Sequence, residues 1–115
     1  MAKHITGSEY DAVIATAYCY VEAMEKGSSK RAKEGFHPGG GIYGYVDGEF
    51  KGDQSPEGHK IKAHLDVIAM TPTTAIVKTE VEMNPPETDY TDFLGMVKID
   101  GKWQIVSKIF HSYPR

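Results

Sequence analysis

The sequence predicts an α+β fold in which N-terminal helices pack on a strongly curved, mainly antiparallel sheet. Two observations lead to this prediction. Apolar residues repeat with a period of 3.6 in the first quarter of the chain and with a period of 2 from Ile42 onward. The later segments are separated by hairpin-type turns rather than by further helices. With 115 residues, of which 40% are hydrophobic and 25% charged, the chain is expected to form one globular domain, residues 1–115.

The first predicted element is a long helix with one apolar face. Thr6 and Glu9 have the spacing of a capping box, and Gly27 is expected to end the helix. The face is defined by residues that recur at helical spacing: Tyr10, Val13, Ile14, Ala17, Val21 and Met24.

A short second helix is predicted next. Ser28 and Ser29 can cap it, and Gly35 is expected to end it. The following segment, 36–41, contains three consecutive glycines and is expected to be irregular, because glycine makes a regular element costly.

Five or six strands are predicted after the helices. They cover about residues 42–46, 49–51, 60–67, 74–83, 90–99 and 103–111. Asp47-Gly48 and Asp100-Gly101 are the strongest turn signals, since both suit a two-residue hairpin loop. A sheet that curls more than the long helix can fill would enclose a pocket between the two layers.

Charge and cysteine content exclude several classes of protein. The net charge is −3 and the pI about 5.9, so clustered cations for nucleic-acid binding are not expected. Cys19 is a single cysteine, which rules out an internal disulfide. No apolar run approaches the roughly 20 residues that span a bilayer, and residues 1–8 lack the apolar core of a signal peptide. A cytoplasmic protein that binds neither nucleic acid nor membrane is therefore expected.

Three stretches of the chain resemble a known superfamily. They are 20–27 (YVEAMEKG), then 36–38 (FHP) with 44–48 (GYVDG), and 90–111, which includes YTDFL, KIDGKWQIV and a final FH. In these the chain resembles the nuclear transport factor 2-like, or cystatin-like, superfamily, and within it the small bacterial "putative lumazine-binding" family. The resemblance implies a cone-shaped pocket between helix and sheet. Such proteins usually carry another helix where this chain has only residues 52–58, so the pocket is expected to be more open or closed by a partner chain.

Three titratable residues are candidates for catalysis. His37 follows the second helix and could act as a base or contact a ligand, or simply bond backbone. His111 shares strand parity with Trp103 and Ile105 and is expected near the pocket, unless a bulge reverses its face. In ketosteroid isomerase-like relatives, acidic residues on the inner face carry the chemistry, which draws attention to Asp92. In its strand, however, Asp92 lies on the face opposite the more apolar residues. It could therefore face solvent or a partner.

Aromatic residues suit a planar ligand in a half-apolar pocket, because tyrosine combines a flat apolar face with one polar tip. The predicted lining residues are Tyr18, His37, Tyr43, Tyr45, Phe93, Trp103 and His111. Neither a cofactor nor a metal is predicted: His59 and His64 fall on opposite strand faces, and no phosphate-binding glycine loop is present.

Three functions remain open. The first is a small-molecule-binding domain of unassigned ligand. The second is an acid–base enzyme of the ketosteroid isomerase or dehydratase type. The third is an association module, compatible with both, in which Leu94, Met96, Val106 and Phe110 form an apolar outward face that pairs two copies into a homodimer through the sheet.

Overall fold

The computed structural model describes residues 5–46, 49–52, 60–84 and 88–114. Asp47-Gly48, most of 52–58 and Pro85-Pro86 lie outside the described residues, so the expectations about those turns and about the shortened segment are not addressed. Helix α1 (Gly7–Lys26) and helix α2 (Ser29–Gly35) come first. Six strands follow: β1 (Phe36–Val46), β2 (Glu49–Gly52), β3 (Lys60–Met70), β4 (Thr74–Asn84), β5 (Thr88–Ile99) and β6 (Lys102–Pro114).

Helix α1 has the predicted ends. Thr6 is the N-cap, and its side chain accepts a hydrogen bond from the Glu9 backbone N–H. Gly27 closes the helix at φ 60°, a left-handed conformation that glycine adopts without steric cost. Ser28 caps α2 as expected and accepts from the Arg31 backbone N–H.

The expectation that residues 36–41 are irregular is only partly correct, because β1 already begins at Phe36. Phe36 pairs with Ile105, and the next pair joins Gly41 to Ser107, so residues 37–40 bulge out of the ladder. A Cβ at Gly40 would lie 3.2 Å from the carbonyl oxygens of both Ile105 and Val106. The glycines thus allow β1 to approach β6 closely rather than preventing a strand.

The described strands form one mixed sheet in the order β2-β1-β6-β5-β4-β3. Strands β1 and β6 are parallel, and every other neighbouring pair is antiparallel. The predicted fold class is therefore confirmed: two helices pack on a curved sheet. Asp100 and Gly101 join β5 to β6 at φ 50° and 79°, the positive values that a type I′ turn requires.

A bulge in β6 decides which side chains face the helix. Gly95 pairs with Ser107 but Met96 pairs with Ile105, which leaves Val106 as an extra residue. An extra residue reverses the alternation of everything beyond it. Trp103 and Ile105 therefore point inward before the bulge, and the inward set after it is Lys108, Phe110 and Ser112.

The core lies between α1 and the inner face of the sheet. Val13, Ala17 and Val21 of α1 are almost fully buried there. The strands contribute a second set of buried residues, which is Ala75, Val77, Val81, Met83, Leu94, Met96, Trp103 and Ile105. Among the described helices, none is long and apolar enough to cross a membrane.

Leu94, Met96 and Phe110 belong to this inner face, so the expectation that they form an outward apolar surface is wrong. Each is at most 4% exposed. The alternation of β5 is opposite to the expected one, since Asp92, Leu94 and Met96 point inward and Phe93 points outward. The two large aliphatic side chains decide this face, because their burial stabilises the fold by about 1.5–3 kcal/mol each.

Candidate functional site

A polar cluster lies within the otherwise apolar inner face. Asp92 on β5 is 0% exposed and is directly opposite Thr79 of β4, which is also 0% exposed. On the other side of β5, Asp92 pairs with Phe110, and Leu94 pairs with Lys108. Lys108 is therefore the diagonal neighbour of Asp92 on the same face. We call Tyr20, Thr79, Asp92 and Lys108 the inner-face cluster.

Helix α1 contributes Tyr20 to this cluster. The Tyr20 hydroxyl donates a hydrogen bond of 2.6 Å to Asp92 Oδ2, and the bond is buried. Phe36 packs edge-on against the Tyr20 ring, with centroids 6.1 Å apart. A short hydrogen bond to a carboxylate is among the stronger kinds, so it fixes both side chains.

Two polar atoms of the cluster have no hydrogen-bond partner among the described residues. They are Asp92 Oδ1 and Thr79 Oγ1, which belong to cross-strand neighbours. A buried polar atom without a partner costs about 1–3 kcal/mol, so native proteins seldom retain one without a purpose. Two such atoms side by side mark a place where a polar group of a ligand, or water, would be stabilised.

Lys108 brings a cation to the same face. Its Nζ lies 4.3 Å from the centroid of the Tyr20 ring and 5.0 Å from that of the Phe110 ring. Within the described part of the chain, its Nζ has neither a hydrogen bond nor an ion pair within 4.0 Å. Asp92 is completely buried whereas Lys108 is half-buried, so Lys108 is the most exposed member of the inner-face cluster.

Burial shifts the pKa of each titratable member of the cluster, namely Asp92, Lys108 and Tyr20. It raises the pKa of Asp92 against the opposing effects of the Lys108 charge and the Tyr20 hydrogen bond. It lowers the pKa of Lys108, although the Asp92 charge acts in the other direction. Burial, and then the Asp92 charge, raise the pKa of Tyr20 well above its ordinary value, so Tyr20 stays a hydrogen-bond donor. A carboxyl and an amine whose pKa values are shifted toward each other are typical of acid–base sites.

The structure does not bring the predicted lining residues together. Tyr18 is exposed on α1, and Trp103 is buried at the other end of the helix, where its Nε1 donates to Glu9 Oε2 at 2.9 Å. His37 accepts a hydrogen bond of 2.9 Å from the Gly39 backbone N–H through Nδ1, the ordinary role of a loop histidine. Whether these residues bind a ligand stays a prediction.

Three predicted residues are on the outer face of the sheet, away from α1. The bulge at Val106 exposes His111, so the expectation that His111 shares a face with Trp103 is wrong. Phe93 is 42% exposed, on the face opposite Asp92. Tyr43 is exposed as well. The backbone of Tyr45 pairs with Phe50 and His111, and its side chain lies outside the described part.

Of the predicted catalytic candidates, Asp92 is the one that occupies the inner face. Sequence reasoning missed Tyr20, Thr79 and Lys108 as its neighbours. Thr79 and Tyr20 carry no distinguishing motif, and the inward turn of Lys108 depends on a bulge that no residue pattern signals. The usable signal was the shared parity of Asp92 with Leu94 and Met96, two large apolar residues of the same strand that are buried.

A concave feature lies on the outer face of the sheet, across β3, β4 and β5. It is an open groove of about 550 Å³. Its exposed lining is polar and includes Lys62, His64, Glu80, Glu82 and Tyr113. The groove excludes every member of the inner-face cluster. Two of its exposed side chains already contact opposite-charge neighbours, since His64 Nε2 lies 3.2 Å from Asp66 Oδ2 and Glu80 Oε1 lies 2.9 Å from Lys78 Nζ. We therefore assign the chemistry to the inner face instead. Among the described residues, no group of three or more His, Cys, Asp or Glu is placed to hold a metal ion.

Comparison with known proteins shows the family. The model of the family described as "Putative lumazine-binding" matches residues 8–111, so the chain belongs to that family. The fold is that of the nuclear transport factor 2-like superfamily. A protein of this fold from Methylobacillus flagellatus KT, of unknown function, has a crystal structure with a TM-score of 0.87 and 25% identity, covering 98% of both chains. Another, from Shewanella baltica OS155, has a TM-score of 0.82 and 26% identity, covering 97% of this chain and 100% of the other.

A curated relative is far more similar in sequence. It is "Aldolase FrzH" from Cladobotryum sp, 90% identical over an alignment of 125 positions that spans 100% of each chain. The alignment is longer than the 115 residues of this chain, so the relative contains residues that this chain lacks. This relative comes from a fungus, whereas the resemblance had suggested the small bacterial members of the family.

Proposed function

We propose that this protein is an aldolase, an enzyme that joins or cleaves a carbon–carbon bond next to a carbonyl group. The observation that carries the proposal is the inner-face cluster, a buried carboxyl and a half-buried amine on one face of the sheet. The name of the relative that is 90% identical over its whole length supports the same reaction class. The family and the fold themselves support a ligand-binding domain, and the cluster supplies the chemistry within it.

An aldol reaction makes two demands that the inner-face cluster meets. A group must take the proton from the carbon beside the donor carbonyl, and a positive or hydrogen-bonding group must stabilise the charge that develops. Asp92 is the proton acceptor, since burial raises the pKa of its carboxyl toward the working pH. Lys108 faces the entering carbonyl, and Tyr20 holds Asp92 in place through the 2.6 Å hydrogen bond. Electrostatic effects are strong here because the surroundings are apolar.

The proposal is tested by NMR with a panel of small aldehydes and ketones in D₂O. Exchange of the α-proton reports enolisation, and new carbon–carbon bonds report the aldol step. We expect Asp92→Asn, which keeps an acceptor for Tyr20 but no base, to slow both by about 100-fold or more. The matched control is Asp100→Asn in the β5–β6 turn, because asparagine tolerates its φ of 50°. We expect the control to match the wild type.

Two results would redirect the proposal. Exchange of α-protons without any carbon–carbon bond formation would favour the isomerase-type enzyme. Such an enzyme needs the same buried carboxyl but no second carbonyl substrate. No exchange and no bond formation across the panel, or equal rates in the two asparagine variants, would remove the enzymatic role of Asp92 and leave a binding domain.

We also propose that two copies associate through the outer face of the sheet. The residues that support this differ from those expected from the sequence. Tyr43 on β1 pairs with Ile109 on β6, and Ile109 pairs with Phe93 on β5, so the three form one row across the outer face. Each is at least 42% exposed. A row of exposed apolar side chains across three strands favours a second copy with the same surface, since a two-fold axis pairs the row with itself.

A further inference from the structure

We propose that Lys108 is the nucleophile of the reaction and forms an iminium bond between its Nζ and the carbonyl carbon of the donor substrate. This inference rests on the proposed function and specifies how that function is performed. The substrate class is an enolisable aldehyde or ketone, and the acceptor is a second aldehyde.

The surroundings of Lys108 are those of a reactive amine rather than of a structural cation. Three other lysines of the described residues pair with carboxylates at or near the surface: Lys26 bonds Glu22, Lys78 bonds Glu80 and Lys98 bonds Glu9. Lys108 instead lies over the faces of Tyr20 and Phe110, and no carboxylate oxygen of the described residues lies within 4.0 Å of its Nζ. A lysine that is removed from water in this way carries its proton less tightly and is the usual kind of nucleophilic amine.

The neighbouring polar atoms are placed for the proton transfers of such a step. Asp92 is the diagonal neighbour of Lys108 on the inner face, and its Oδ1 has no hydrogen-bond partner among the described residues. Thr79 Oγ1, directly across the strand pair from Asp92, is also without one. A carbonyl oxygen of the donor, or the hydroxyl that it becomes, can satisfy these atoms.

The step balances without a cofactor. The neutral Nζ of Lys108 attacks the carbonyl carbon and forms a carbinolamine, as a proton moves from nitrogen to oxygen. The Asp92 carboxyl gives a proton to the departing hydroxyl, which leaves as water, and the iminium forms. The Asp92 carboxylate then takes the α-proton, directly or through one water, to give the enamine.

The second half of the cycle restores the enzyme. The enamine carbon attacks the acceptor aldehyde, and Asp92 protonates the new alkoxide. One water then hydrolyses the product iminium, which returns the neutral amine to Lys108 and the proton to Asp92. One water is released and one is consumed, and no electrons are gained or lost.

Competitive labelling tests the inference within one molecule. The folded wild-type protein is treated at pH 7 with propanal and sodium cyanoborohydride, which reduces an iminium to a stable amine, and the modified lysines are quantified by peptide mass spectrometry. We expect Lys108 to be labelled faster than Lys102, an exposed lysine at the start of the same strand, because a lowered pKa leaves more of the Lys108 amine unprotonated at pH 7. Labelling of Lys108 at or below the rate of Lys102 would overturn the inference.

Substitutions separate a nucleophile from a charge. Lys108→Arg keeps the cation but cannot form an iminium, whereas Lys102→Met serves as the matched control. We expect Lys108→Arg to abolish the aldol step and Lys102→Met to retain it. Full aldol activity in Lys108→Arg, or in a wild type whose Lys108 is never labelled, would refute the iminium while the proposed aldolase function stands. Failure of the wild type to catalyse any aldol step would refute the function itself.

Discussion

Lys108 is the residue whose chemistry depends most on its surroundings. The aromatic faces of Tyr20 and Phe110 favour its charged form, and loss of water around the side chain disfavours it. Loss of water is the larger effect, so the pKa is lowered. Folding therefore becomes more favourable as the pH rises through the interval between this lowered pKa and that of free lysine, near 10.4.

The coupling between Lys108 and Asp92 makes a prediction at this scale. The Asp92 charge raises the pKa of Lys108, so removing that charge in Asp92→Asn should lower the pKa further. The measurement is an NMR titration of the lysine side chains, with exposed Lys102 as the internal reference. We expect Lys108 to titrate below Lys102 and to move farther down in the variant. Identical titration of the two lysines in both proteins would show that the inner-face cluster is not coupled.

Asp92 shows what sequence can and cannot reveal about single residues. Its chemistry made it a candidate at once, but its face was misjudged because Phe93 and Val97 were weighed above Leu94 and Met96. Lys108 could not be found, because regular alternation along β6 from the inward-facing Trp103 places it on the outer face of the sheet. Val106, the extra residue of the bulge, reverses the alternation of β6, and valine is not a residue type that indicates a bulge.

At the scale of elements, Glu9 attaches the start of α1 to the sheet. Its carboxylate accepts from Lys98 Nζ at 2.8 Å and from Trp103 Nε1 at 2.9 Å. Both hydrogen bonds lower the pKa of Glu9, and the one from Lys98 has the larger effect. A lowered carboxyl pKa stabilises the fold above the unfolded pKa, near 4.3, and this stabilisation is lost as the pH falls through the folded value.

The attachment predicts a stability difference that depends on pH. Glu9→Gln should melt at a lower temperature than the wild type at pH 7, and the two proteins should converge near pH 3. The control is Glu25→Gln, an exposed residue near the other end of α1, for which we expect no change at pH 7. Thermal melts followed by circular dichroism give the comparison. A gap between Glu9→Gln and wild type that persists unchanged down to pH 3 would contradict the role of the charge.

The elements themselves were largely predictable, since their signals are local. The Thr6 and Gly27 caps, the Asp100-Gly101 turn and the alternation of β3 and β4 all follow from neighbouring residues. The error at residues 36–41 has a non-local cause. Strand β1 is held by its parallel partner β6, about 70 residues away in sequence, and that pairing tolerates the glycine run by bulging around residues 37–40.

At the scale of the whole molecule, the outer row of Tyr43, Ile109 and Phe93 predicts a homodimer. The wild type should have twice the chain mass of 12.7 kDa in light scattering at micromolar concentration. Ile109→Lys should give the monomer, because it places a charge at the centre of the row. Ile68→Lys on edge strand β3 carries the same change at another exposed site and should remain dimeric. A wild type that is monomeric at this concentration would contradict the association.

The architecture was predictable to the level of class and family. The change in hydrophobic period indicates helices followed by a sheet. The stretch 90–111, which resembles the superfamily most specifically, indicates the family. The parallel pairing of β1 with β6 was not predictable, since hairpin signals describe only neighbouring strands. The site was not predictable as a whole either, because its members come from one helix and three strands that meet only in the folded sheet.

The proposed aldol chemistry depends most on where a carbonyl compound binds. A crystal structure of the wild-type protein with a donor compound that exchanges its α-protons, taken without borohydride, addresses this directly. We expect the compound on the inner face, bonded to or in contact with Lys108 Nζ, with its oxygen close to Asp92 Oδ1 and Thr79 Oγ1. A compound seated in the outer groove against Lys62 and His64, with the inner face unchanged, would contradict the account.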